Sequence, residues 1–342
     1  MLKPYLSNPM AHYAVGFQSF ETKSLYALCE QIDYEMQQHT PEQSYLAEMI
    51  LNLEKHIYYL RNTSDLNEVH ERCINDFSCY IYSEWSYFKV IMNPINDFSP
   101  ELNIFRVELK KILDERVFRN RIISVEKDRI CVLINVLRSK FGEEKFSKEK
   151  NKLRTRIEKN RESLAKYIES LQCYYTNLEI MRFEIALRPK NEDKMEEFIK
   201  RYIKDKNDFL YFLTKREFKH NIVGYMWKFQ PQQDDGYVSC HMVLFLNKDE
   251  IERGGQQDMD VKMKILQSRW KELTHNYGKF WDCNSSLQYR LNPVILFNND
   301  NYNIQDELKK IVNYFVNPDY FLRLKLGGKY RSYGRGEISC VK

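Results

Sequence analysis

Apolar residues recur three or four apart through the first half of the chain, and the period changes to alternation after residue 172. Leu46, Met49, Ile50, Leu53, Ile57 and Leu60 fall on one helical face. Leu109, Ile112 and Leu113 repeat that spacing, as do Ile130, Leu133, Ile134 and Leu137. The pattern predicts roughly five or six packed helices between residues 19 and 163. Breaks are expected at Thr63-Ser64-Asp65 and at Asn93-Pro94-Ile95-Asn96-Asp97, where turn and capping residues cluster.

Beyond residue 172 the pattern predicts a strand over 178–187, closed by Pro189, and then a helix over 194–213. Strands over 222–229 and 237–246 flank a Pro-Gln-Gln-Asp-Asp-Gly turn and should form an antiparallel hairpin. A helix over 261–277, a short strand over 293–297 and a helix over 304–315 complete the series. This order predicts an α+β chain, with a helical domain over 1–165 and an antiparallel sheet over 166–342 backed by helices on one face.

Composition narrows the class without deciding it. The 342 residues are 43% hydrophobic and 30% charged, which suits two globular domains and excludes wholesale disorder. A net charge of +5 permits a polyanionic partner, so the distribution of charge matters more than its sum. No apolar run reaches the length of a membrane span and the N-terminus lacks a signal-peptide core, which predicts a cytoplasmic chain with no membrane partner. The eight cysteines form no Cys-x-x-Cys pair and read as small, partly buried thiols. The first half carries no recognisable catalytic or metal motif, which leaves a protein-docking role as its open reading.

Two stretches are distinctly basic. Residues 145–161 hold eight Lys and Arg against Glu149 and Glu158, which fits either a solvated linker helix or a contact with a phosphate backbone. The C-terminal tail carries Arg323, Lys325, Lys329, Arg331 and Arg335, interleaved with Tyr330, Tyr333 and several glycines. Such a tail suits nucleic-acid binding, and Trp227 with Lys228 adds an aromatic and a cation to that candidate surface.

A set of ordered motifs carries a family resemblance. Gly224-Tyr225-Met226-Trp227-Lys228 comes first, then Gly236-Tyr237 through His241-Met242-Val243-Leu244-Phe245, then Asp282-Cys283-Asn284. Tyr314, Phe321-Leu322-Arg323-Leu324-Lys325 and Arg331-Ser332-Tyr333-Gly334-Arg335-Gly336 follow in turn. Over residues 174–337 the chain resembles the inovirus gene II-like replication proteins, whose YagK/YfjJ-type C-terminal domain is of the HUH endonuclease type. The resemblance implies an HUH-type α/β sandwich, a phage, prophage or satellite element as the source, and single-stranded or origin DNA as the partner. It also implies rolling-circle nicking by a tyrosine nucleophile, Tyr314 here, beside a divalent cation such as Mg²⁺ or Mn²⁺ held by paired strand histidines.

The chain departs from that pattern at the metal positions. Ser239-Cys240-His241 stands where the family has His-x-His, and Gln230 stands where it has a carboxylate. Alternation places Ser239 and His241 on one face of the strand and Cys240 on the other. An amide, a hydroxyl and one imidazole make a poor site for a cation that prefers charged oxygens. The competing expectation is therefore a relative that no longer cuts and acts as a DNA-binding, regulatory or interaction protein.

Overall fold

The computed structural model describes residues 96–112, 127–175, 177–190, 194–231, 238–253 and 259–283. Beyond these it describes 309, 311–313, 315–316, 319, 322–324 and 330–337. The helical face from Leu46 to Leu60, the strand expected over 293–297, and Tyr314, Lys325 and Lys329 lie outside the described residues.

In chain order the elements are β1 (Asn96–Phe98), α1 (Pro100–Ile112), α2 (Lys127–Gly142) and α3 (Glu144–Tyr174). Next come β2 (Leu178–Leu187), α4 (Met195–Phe212) with a π-helical turn at Leu213–Glu217, β3 (Ile222–Pro231) and β4 (Val238–Asn247). The chain continues through α5 (Lys248–Arg253), α6 (Met259–Leu273), β5 (Gly278–Asp282), β6 (Leu322–Leu324) and β7 (Tyr333–Arg335). Residues 309, 311–313 and 315–316 are also helical. Among the described residues, no helix is long and apolar enough to cross a membrane.

Helices and a five-stranded sheet make this an α+β structure. The strand order is β5-β2-β4-β3-β7, with every neighbouring pair antiparallel. β4 is central and is buried along almost its whole length. β3 and β4 form the expected hairpin, and β2 begins and ends where the alternation put it. A separate two-stranded ladder joins β1 to β6, pairing Asn96 with Leu324 across most of the chain.

Two expectations need correction. Helices cover both faces of the sheet, not one. On the first face, Phe183, Ile185, Phe229, Cys240 and Met242 pack under α4 and α6, around the fully buried Trp270. On the second, Ile180, Met226, Val243 and Phe245 pack under α3 and against Ile311, Val312, Phe315 and Val316. Amphipathic helices flank a sheet that presents apolar residues on both sides, and a period-2 pattern cannot show which side each helix takes. The second correction is β5. The expected helix over 261–277 stops at Leu273, and His275 and Asn276 turn the chain with φ of 52° and 67°. That turn delivers Gly278 into a strand, so close to α6 that a Cβ there would overlap Trp270 Nε1.

α3 is the long brace of the molecule. Leu153, Ile157, Leu164, Ile168 and Leu171 are buried along one side of it, while most of the remainder faces solvent. It also contacts α1 and α2. α3 crosses β3 so closely that a Cβ on Gly224 would sit 2.7 Å from Leu171. The Tyr167 hydroxyl accepts a hydrogen bond from the Tyr225 backbone N–H at 3.1 Å.

Burial pushes the Tyr167 hydroxyl up from 10.0 to about 12, and burial likewise raises Tyr202, Tyr225 and Tyr333. A raised folded value means that the neutral phenol is favoured in the folded state. Its contribution is intact below the unfolded value and is lost as pH climbs through the folded one. For Tyr167 that amounts to about 3 kcal/mol, lost between about pH 10 and pH 12. Denaturant titrations from neutral pH to about pH 11 should show stability falling steeply above pH 10, with a shallower fall in Tyr167→Phe.

Candidate functional site

Strand alternation gathers an unusual set of polar side chains on the α3-facing side of the sheet. In register, Glu184 of β2 and Lys228 of β3 both lie opposite His241 of β4, and Gln230 lies opposite Ser239. Arg182 precedes Glu184 by two residues on the same side. All six are buried, at 5% exposure or less. Such groups are tolerated inside a fold only when their charges and hydrogen bonds are matched internally.

Lys228 shows how that matching works. Its ammonium forms an ion pair with Asp319 at 2.8 Å and donates a hydrogen bond to the Phe315 carbonyl at 2.6 Å. The cation therefore meets a main-chain carbonyl of the helical residues 311–313 and 315–316 from the sheet side. The Phe315 ring meets the His241 imidazole edge-on, 5.8 Å between centroids. Arg161 of α3 hydrogen-bonds Asn313, fastening the same segment from the helix side. Lys228 was expected at a DNA surface, but its charge is matched inside the fold.

The expected metal positions are partly brought together. Ser239 and His241 face the same side of β4, and Cys240 packs in the opposite core, where burial pushes its thiol up to about 12. The Ser239 hydroxyl donates to the Gln230 backbone carbonyl at 3.4 Å. Two residues that the sequence motifs did not mark as ligands, Glu184 and Cys283, stand beside His241. One donor atom from each of Glu184, His241 and Cys283 lies within 4.8 Å of the others. Cys283 follows β5, where its backbone N–H donates to the Arg182 carbonyl at 3.2 Å. A thiol within this trio does not fit Mg²⁺ or Mn²⁺, which take hard oxygen ligands.

The expected nucleic-acid residues divide. Trp227 is half-buried, with the Lys206 ammonium 3.6 Å from its ring centroid. Gly334 packs beside the same indole, and a Cβ there would meet it at 2.6 Å. The ring therefore belongs to the junction of β3, β7 and α4. Arg323 lies in β6 opposite Asp97. Arg331 and Arg335 are exposed at β7.

β7 also brings the two basic stretches together. The Tyr333 hydroxyl donates to Asn160 of α3 at 2.7 Å, and Arg335 lies 4.9 Å from the Tyr167 ring centroid. Arg156, Arg331 and Arg335 all act on the Tyr333 hydroxyl electrostatically, and all three are exposed. Comparison with family models, curated proteins and solved structures finds no match for the chain.

Removing either partner of the buried Lys228–Asp319 pair strands a charge in the core. Asp319→Ala should cost about 3–5 kcal/mol of stability in urea unfolding. The paired replacement Lys228→Met with Asp319→Leu should recover most of that stability, because neither charge then remains.

Proposed function

We propose that this chain is a DNA-binding protein of the replication-initiator type, from a phage, prophage or satellite element, that engages single-stranded or origin DNA. The observation that carries this reading is the basic surface where α3 lies beside β7. Arg156 on α3 and Arg331 and Arg335 at β7 are all exposed, and Tyr333 and Arg335 reach Asn160 and Ser163 of α3, joining two basic stretches that are far apart in the sequence. Guanidinium groups at a strand edge suit phosphate oxygens, and a neighbouring tyrosine suits a base or sugar face. Lys152 and Lys159 are also exposed along α3 and extend the positive charge beyond β7.

An HUH-type sandwich is the fold that supports this reading most directly. Its support is an antiparallel five-stranded sheet with a histidine facing inward from the central strand. Single-strand nicking is the second reading, and one observation favours it. Asn313 and Phe315 flank Tyr314 in sequence, and Phe315 stands against His241 on the polar side of the sheet. The departures at Ser239 and Gln230 favour DNA binding without cleavage.

Salt dependence of DNA affinity tests the binding reading. Replacing Arg156, Arg331 and Arg335 by Gln should weaken single-stranded DNA binding. It should also reduce the slope of log affinity against log salt by about 0.7 for each phosphate that is no longer neutralised. An unchanged slope would place the DNA-binding surface elsewhere. For the second reading, a covalent protein–DNA adduct formed by the unmodified chain and abolished in Tyr314→Phe, with affinity retained, would establish cleavage. The expected outcome is binding with no adduct.

A further inference from the structure

We propose that Glu184, His241 and Cys283 bind a single zinc ion that cross-braces three adjacent strands. The three residues come from β2, from β4 and from the residue after β5, and β2 lies between the other two strands in the sheet. Two backbone features set their positions. Glu184 and His241 are direct cross-strand partners, so their side chains leave the sheet together. The bond from Cys283 N–H to the Arg182 carbonyl continues the β2–β5 ladder by one residue, bringing the thiol diagonally beside Glu184.

The donor set selects the ion. One carboxylate oxygen, one imidazole nitrogen and one thiolate sulfur are a borderline-soft combination that suits Zn²⁺, whereas hard cations avoid thiolate. The three atoms lie within 4.8 Å of one another. Tetrahedral zinc bond lengths require separations of about 3.3–3.6 Å, so closing the site takes about 1 Å of side-chain movement. Binding releases the Cys283 thiol proton and leaves a carboxylate, a thiolate, a neutral imidazole and a dication. Their charges sum to zero, which suits a location where all three residues are almost fully buried. The Phe315 ring against His241 adds an apolar wall. Protein supplies three ligands, and a solvent molecule completes the tetrahedron.

Zinc binding here is independent of DNA binding, and its test needs no DNA. The full chain, stripped with chelator and reconstituted, should retain one zinc per molecule after desalting and should take up no Mn²⁺ under the same conditions. With Co²⁺ as the probe, the unmodified protein should show a near-ultraviolet thiolate-to-cobalt charge-transfer band and the visible absorption of tetrahedral cobalt. Cys283→Ser should lose the charge-transfer band, while Cys173→Ser, at an exposed thiol on α3, should keep it. Zinc should also protect one thiol of the unmodified chain from alkylation, with Cys283 identified by peptide mapping. A chain that takes up no zinc overturns the proposal, as does bound cobalt without the thiolate band or a band that survives Cys283→Ser. The unmodified protein's uptake, spectrum and alkylation pattern decide the matter even if a variant fails to fold.

Discussion

A lysine ammonium held inside the sheet is the constraint on which the rest of this architecture turns. Lys228 is 2% exposed, so its charge must be met within the protein. Asp319 and the Phe315 carbonyl meet it from a segment far along the chain, beyond β5. That requirement holds the helical residues 311–313 and 315–316 onto the sheet, sets Phe315 against His241, and brings Asn313 within reach of α3. The polar side of the sheet is thereby closed by the same contacts that neutralise it.

The two faces of the sheet divide their roles. The α4 and α6 face is a conventional core built from aromatic and aliphatic residues around Trp270. Phe183 stacks on Phe280 there, and Tyr202 sits between Phe229 and Trp270. The α3 face is apolar at one end, around Val243 and Phe245, and ionisable at the other, around Glu184, Lys228 and His241. A uniform hydrophobic face would give more stability for less structural demand. The ionisable end is where chemistry or metal binding has its materials, and the outer basic surface at β7 lies next to it, since Tyr333 pairs with Lys228.

Strand placement was legible because alternation is strong over 178–187 and over the β3–β4 hairpin. The shared orientation of Ser239 and His241 followed from the same period. Glu184 was visible in principle, as a charge beside Arg182 at inward positions of an apolar strand, although its opposition to His241 depends on a register that no single strand contains. Cys283 was harder to see. It stands in a recognisable Asp-Cys-Asn motif, but its approach to Glu184 requires β5, a five-residue strand too short to carry a strong alternation of its own. The fate of Lys228 was not legible at all, because a lysine beside tryptophan reads equally as a surface cation until its distant carboxylate is known.

The distance in sequence between Lys228 and Asp319 has a consequence for how this protein is made. At typical translation speeds, about 5–20 s separate the emergence of the two residues from the ribosome. During that interval β3 and β4 can pair, but the ammonium has not met its carboxylate and the polar side of the sheet lacks its cover. β6 and β7 arrive later still, and β6 must find β1, made more than two hundred residues earlier. Until Phe315 and Asp319 emerge, the contacts that meet the Lys228 charge in the folded protein cannot form. A chain interrupted before Asp319 would be held at that point, without the carboxylate that its buried ammonium requires.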